Sequence, residues 1–245
     1  MDDTFTFNPN WVINFCNGLV KEKINLPWSC QTRVNVVTKD LIKAMKNAGC
    51  IQLDYGIESG SDRILNNLKK GITVEQIKNA FKITKDIGLR TYGSILLGSP
   101  GETWADIELT KKLVKEIKPS FTLFNFITPF PGSELYNTAI NKGLLKDKKI
   151  LYDYDSRRAD MPVFSDTLSF EELRKARSEL QNMVFLNNYK NYFNFKNIKF
   201  IYEILSLCVK NPVKIIKGIK KTIKNKTMDD FLDTMYYLYC KDKSV

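Results

Sequence analysis

From its start to about residue 145 the chain alternates short apolar runs with longer segments whose apolar residues recur at helical spacing. This alternation is the strongest constraint on the fold. Adjacent parallel strands need a crossover between them, and an amphipathic helix of this length supplies one. The pattern predicts strands at Ser29–Val34, Cys50–Ile57, Leu89–Leu97 and Phe121–Ile127, with the end of another at Thr4–Phe7. Helices are expected at Trp11–Lys21, Lys39–Asn47, Ser61–Leu68, Thr103–Lys118 and Glu134–Asn141. Another should open at the capping box Thr73-Val74-Glu75-Gln76 and run to Gly88. The fold class is therefore α/β, and functional residues belong where strands end and loops begin. Five strands are too few to close an eight-stranded barrel, and the first has almost no body, so the chain is expected to begin inside a domain.

Composition narrows the chemistry. The 245 residues are 43% hydrophobic, enough for a sizeable core, and include no histidine. That excludes His-based acid–base catalysis, Ser-His-Asp triads and His-ligated zinc. The five cysteines, Cys16, Cys30, Cys50, Cys208 and Cys240, are widely spaced and form no CxxC pair. They read as reduced thiols of a cytoplasmic chain. No apolar stretch is long enough to predict a membrane-spanning helix, and the acidic start, Met1-Asp2-Asp3-Thr4, lacks the pattern of a secretory signal. The net charge of +11 is uneven: beyond residue 185 there are twelve lysines against five acids and no arginine. That distribution argues against a nucleic-acid binder.

The informative runs sit at the predicted strand ends. They are Asp2-Asp3-Thr4-Phe5-Thr6, then Trp28 to Asn35 with Arg33, then Gly56-Ile57-Glu58-Ser59-Gly60-Ser61, then Gly93 to Thr103 with Gly98-Ser99-Pro100-Gly101-Glu102-Thr103, and last Thr128-Pro129-Phe130-Pro131-Gly132-Ser133-Glu134-Leu135. Singly, each has an ordinary alternative as a turn or a helix start, and Cys30 and Cys50 as small core residues. In this order and spacing, residues 2–145 resemble the radical S-adenosylmethionine (SAM) superfamily. The likeness is to the branch that often carries a cobalamin-binding domain and includes the anaerobic magnesium-protoporphyrin monomethyl ester cyclase.

That resemblance implies an incomplete (β/α) partial TIM barrel of the radical SAM type, with an α-helical carboxy-terminal extension. It also implies SAM as cofactor, held with a [4Fe–4S] cluster whose ligands are a CxxxCxxC loop, and cleavage of SAM to a 5′-deoxyadenosyl radical. Cobalamin use is left open, and a small-molecule substrate is implied without an identity. Carried over residue by residue, Asp2 and Asp3 fall on the segment that meets the methionine amino group. Glu58 and Ser59 fall on the ribose-binding run, and Lys70 on a basic position near the SAM carboxylate. Ser94 and Ile95 fall on the run along ribose and adenine, and Arg33 on a strand position that can face the barrel interior.

The chain departs from the family: no CxxxCxxC occurs, Cys16, Cys30 and Cys50 lie on different predicted elements, and the family's first strand, cluster loop, first helix and most of its second strand have no counterpart in the sequence. No cluster ligands are therefore assigned. The chain is expected to be a carboxy-terminal fragment or a gene model begun at an internal methionine, inactive alone, with a pseudoenzyme as the other option. The expected organisation is a barrel part at 1–145, a polar linker at 146–167 and a basic extension at 168–245, where Ser169-x-x-Glu172 caps a helix to about Lys190. Short helices are expected at Ile198–Val209, Pro212–Lys224 and Met228–Cys240. The basic amphipathic tail either lies on an anionic membrane or packs its apolar face on the barrel, and packing is favoured. The rival function is therefore a non-catalytic module that docks through this tail. A phosphate-binding (β/α) enzyme is disfavoured because no GxxxxGK[ST] run occurs.

Overall fold

The computed structural model describes residues 4–144, 164–192, 206 and 209–225. The chain divides into two compact units, Met1–Ala176 and Arg177–Val245. The first holds a four-stranded parallel sheet, β1 (Trp28–Thr32), β2 (Cys50–Glu58), β3 (Arg90–Leu97) and β4 (Phe121–Phe126), in the order β1-β2-β3-β4. Spatial order equals sequence order. Successive right-handed crossovers then put every connecting helix on the same side of the sheet and leave the other side open.

Among the described residues up to 144 the α-helices are α1 (Pro9–Lys21), α2 (Lys39–Asn47), α3 (Asp62–Asn67), α4 (Val74–Asp86), α5 (Trp104–Ile117) and α6 (Glu134–Asn141). Their starts carry the signals seen in the sequence. Asn8 accepts from the Trp11 amide with Pro9 in the first turn of α1, and Thr73 and Gln76 form the reciprocal capping box of α4. The expected boundaries hold to within a residue or two for most elements.

The strand expected at Thr4–Phe7 is instead a 3-10 turn over Phe5–Phe7. Phe5 packs edge-on against Trp11 and Phe15 and tilted against Trp28, all with centroids 5.4–5.5 Å away. Its backbone turns immediately into the Asn8 cap, so no residues remain to pair along β1. Four strands, not five, are present among the described residues. β1 also ends at Thr32 rather than Val34, because Val36 N donates back to Arg33 O and closes a turn.

The core lies between the sheet and its helices. In β2 the buried side chains are Leu53, Tyr55 and Ile57, alternating with Gln52, Asp54, Gly56 and Glu58 on the open face. α4 meets them with Ile77, Ala80, Phe81 and Thr84, the i, i+3, i+4, i+7 stripe of an amphipathic helix. Tyr55 brings its hydroxyl to 2.7 Å from Thr84 Oγ1, which satisfies the polar end of a fully buried ring.

After β2 the chain passes directly over α5. A Cβ on Gly60 would lie 2.4 Å from Thr110 Cα and 2.7 Å from Leu109 O, both rigid helix backbone. Gly60→Ala should therefore destabilise the fold by about 1–3 kcal/mol, read as a lower denaturation midpoint. An unchanged midpoint would mean that α5 can withdraw freely.

A seventh helix, α7 (Phe170–Tyr192), starts at the expected cap, where Ser169 Oγ donates to Glu172 Oε2 at 2.7 Å. It runs across the boundary between the two units. In the second unit, α8 (Pro212–Asn225) is the expected tail helix. Most of the polar connection expected at 146–167 and of the helix expected at Ile198–Val209, and all of the helix expected at Met228–Cys240, lie outside the described residues; Ser206 and Val209 are described and helical. No described helix is long and apolar enough to cross a membrane.

Candidate functional site

The open face of the sheet becomes a site through one irregularity in β2. Its register with β3 runs Tyr55 to Gly93 and Gly56 to Ser94, then skips so that Glu58 pairs with Ile95. Glu58 adopts φ +62, the left-handed region that a non-glycine residue enters at a cost. A bulge of this kind at a strand end re-aims one side chain. Here it accompanies a carboxylate on the open face, where Glu58 Oε1 accepts from Lys70 Nζ at 2.5 Å. Both partners are shielded, with side chains 13% and 28% exposed, so the pair is less screened than a surface ion pair.

Lys70 is presented by the turn after α3, where Lys69 and Gly71 both have positive φ. Arg33, just past β1, donates to Lys70 O at 2.7 Å and ties that turn to the neighbouring strand. Gly56 lies beneath the pair. A Cβ there would come 2.7 Å from Glu58 Oε1 and 2.9 Å from Lys70 Nζ. Both are ends of flexible side chains, so the fold tolerates a methyl there and the ion pair does not.

These residues border a cavity of about 450 Å3, which Arg33, Glu58, Lys70 and Ser94 line together with Asp54 and Tyr92. The volume suits a nucleoside-sized ligand. A carboxylate can accept from two vicinal hydroxyls, while an ammonium beside it can meet a carboxylate. Of the positions singled out from the sequence, four thus converge on one cavity. Ser59 lies outside its lining, with its hydroxyl accepting from the Ser61 amide at 3.2 Å, and Ile95 is fully buried on the helix side. Asp2 and Asp3 lie outside the described residues, although the next residue, Thr4, lines the cavity. Asp54 and Tyr92 were not singled out. They share the strand parity of Gly56 and Ser94, and that period of two was the available signal. Burial pushes the Asp54 carboxyl up, against the opposing effects of the Gln52 amide and the Arg90 charge.

The loop after β3 is held by two acids with opposite electrostatics. Glu102 is fully buried, and its Oε2 accepts from the Gly98 and Ser99 amides at 2.6 and 3.2 Å. Burial pushes its carboxyl up to about 7 despite those bonds. Its other oxygen and Ser99 Oγ have no hydrogen-bond partner among the described residues. Burial also acts to raise Asp106, but hydrogen bonds from Thr103, Ser61 and Arg63 outweigh it and hold that carboxyl well below the usual range. Asp166, from a segment the sequence did not connect with the site, accepts from the Gly101 amide at 2.8 Å and pins the same loop.

Contrary to their scatter along the sequence, the cysteines of α1, β1 and β2 approach one another: Cys30 and Cys50 are hydrogen-bonded, and Cys16 feels Cys50. The Cys30 hydrogen bond to Cys50, then burial, push the Cys30 thiol up, and burial with Cys50 pushes Cys16 up to about 11. The same Cys30 hydrogen bond lowers the Cys50 thiol against the effect of burial, and none of the three cysteines lines the cavity. Cys208 and Cys240 lie outside the described residues. Among the described residues no group of three or more His, Cys, Asp or Glu side chains is placed to hold a metal ion. The donor set of the described residues therefore fits a nucleoside cofactor such as SAM and does not fit a [4Fe–4S] cluster.

A singly wound parallel α/β sheet with helices on one face and a ligand-sized cleft on the other is the architecture of the (β/α)-barrel enzymes. Residues 11–114 match the family model described as the Radical SAM superfamily. That family is enzymatic and uses SAM and a [4Fe–4S] cluster. The chain is 39% identical over 145 residues to an uncharacterized methyltransferase of Pyrococcus horikoshii, covering 59% of this chain and 32% of the relative. It is 28% identical over 195 residues to the anaerobic magnesium-protoporphyrin IX monomethyl ester cyclase of Rubrivivax gelatinosus, covering 78% and 33%. The chain thus spans about a third of the length of these relatives. In fold it is similar to the radical SAM methyltransferase TsrM from Kitasatospora setae, solved with cobalamin and a [4Fe-4S] cluster bound. That similarity has a TM-score of 0.50 and 17% identity, over 57% of this chain and 30% of that one.

Proposed function

We propose that this cleft binds SAM, and that the chain supplies the SAM-binding side of a radical SAM enzyme acting on a small molecule in the reducing cytoplasm. The observation that carries this reading is the shielded Glu58–Lys70 pair, set on a bulged strand end over Gly56 at the edge of the cavity. Glu58 would accept the ribose hydroxyls and Lys70 would meet the methionine carboxylate. Arg33 would hold the Lys70 turn in place, and Ser94 would lie along the nucleoside. When bound beside a cluster, SAM supplies the radical chemistry of the family. Because this sequence contains no CxxxCxxC and the described residues offer no alternative ligand set, the chain by itself should be inactive. In this reading residues 1–145 form the barrel part, 146–167 connect, and 168–245 extend it. The P. horikoshii and K. setae proteins favour methyl transfer as the reaction, and the K. setae structure is consistent with cobalamin beside SAM.

The test is a calorimetric titration of SAM into the full chain. Weak binding is expected, falling about tenfold or more in Glu58→Gln and in Lys70→Met, since each removes a hydrogen bond to a charged group. Gly56→Ala should weaken binding similarly while leaving the melting temperature near that of the parent. Identical titrations for all four proteins, or no heat at millimolar SAM, would sink the reading. The rival, a docking module, is favoured by one observation, the exposed apolar and lysine residues of α8.

A further inference from the structure

Residues 209–225, Val209 to Asn225, contain six lysines and no acid. If this helix merely packed its apolar face into the protein, its branched residues should be covered. Ile215 is, at 7% exposure, but Val213, Ile216 and Ile219 are 64%, 51% and 41% exposed, and Val209 just before the helix is 80% exposed. At about 100° per residue, Val213, Ile216 and Ile219 fall within an arc of about 120°. Lys214 and Lys217, both exposed, occupy the arc beside it. Lys220 lies at the end of the apolar side, where a long stem can run along an apolar surface and keep its ammonium in water.

An exposed apolar stripe flanked by lysines is costly in water and useful at one kind of boundary. The apolar residues gain by leaving water, the lysines gain by approaching negative charge, and the segment itself adds no negative charge that an anionic surface would repel. We propose that α8 lies in the plane of an anionic lipid surface, with Val213, Ile216 and Ile219 buried among the acyl chains and Lys214 and Lys217 at the headgroups. A nucleic acid would satisfy the lysines but leave the isoleucines in water, and the tail lacks the arginines that favour phosphodiester recognition. The helix is too polar to cross a bilayer, so it lies on the surface. The membrane thus recognises this part of the chain independently of the SAM cleft.

The experiment is flotation of the full chain with vesicles of phosphatidylcholine alone and of phosphatidylcholine with phosphatidylglycerol. Recovery is expected with the anionic vesicles only, and should fall when salt is raised to about 0.5 M. The double variant Lys214→Glu, Lys217→Glu should weaken recovery by at least about thirtyfold, because each lysine near an anionic surface contributes close to a decade. Ile216→Glu, at an exposed site where the fold is not strained, should weaken it about tenfold on the same vesicles. Val213→Glu is the independent second apolar variant, and all variants should keep the parent melting temperature and SAM titration. Equal recovery from neutral and anionic vesicles, no flotation, or flotation unaffected by both apolar variants would overturn the proposal. So would tight capture of a mixed-sequence RNA that the lysine variants abolish and the apolar variants leave intact.

Discussion

Asp106→Ala should cost the fold about 2–4 kcal/mol, the effect expected when a shielded carboxylate that accepts several hydrogen bonds is removed and its donors lose their partner. Its side chain is only 6% exposed yet collects four partners: the Thr103 amide at 2.9 Å, the Thr103 hydroxyl at 2.6 Å, the Ser61 hydroxyl at 2.7 Å and the Arg63 guanidinium. Removing the carboxylate orphans the Ser61 hydroxyl in the core and unties the start of α5 from the segment after β2. Because the folded-state carboxyl is held below its unfolded value of 3.8, its contribution is fully present above about pH 3.8 and is lost only as pH falls below it. Urea denaturation of the two proteins at neutral pH gives the number. A loss below about 1 kcal/mol would show that the network relaxes onto water.

Glu102 predicts the reverse dependence, from the same loop. Its folded carboxyl stands at about 7 against an unfolded value of 4.5. Between those values the native chain keeps a proton that the unfolded chain releases, so stability falls as pH rises. The contribution is complete below about pH 4.5 and gone above about pH 7, a swing on the order of 3 kcal/mol. Glu102→Gln keeps an oxygen for the Gly98 and Ser99 amides and removes the titration. The stability difference between parent and variant should therefore move in the variant's favour by about that amount from pH 4.5 to pH 8. A constant difference across the range would mean that Glu102 stays ionised in the fold, with water reaching its unpartnered oxygen.

Much of the fold was legible because local signals and tertiary need agreed. The Asn8-Pro9 start of α1, the Thr73–Gln76 capping box, the stripe Ile77, Ala80, Phe81, Thr84 and the period of two in β2 each specify one element without reference to its neighbours. Thr4–Phe7 misled for the same reason. Its alternating threonine and phenylalanine suit a strand locally, but the aromatic cluster of Trp11, Phe15 and Trp28 takes up Phe5 and the Asn8 cap turns the chain away.

The site divides along the same line. Glu58, Lys70, Arg33 and Ser94 were picked out through the resemblance to the radical SAM superfamily, and they meet at one cavity. Asp54 and Tyr92 were passed over because nothing in their neighbourhood marks them, and only the sheet brings them to the same wall. The order of strands and helices, the parallel sheet and the reach of each amphipathic face were set by the sequence, since these depend on spacing within a few turns of chain. The Glu58 bulge, the convergence of Cys16, Cys30 and Cys50 away from the cavity, the shifts of the Glu102 and Asp106 carboxyls in opposite directions, and the exposure of Ile216 beside a buried Ile215 were decided by tertiary structure. Each of these depends on burial and on partners distant in sequence, and a pattern of residue types holds neither until the chain has closed on itself.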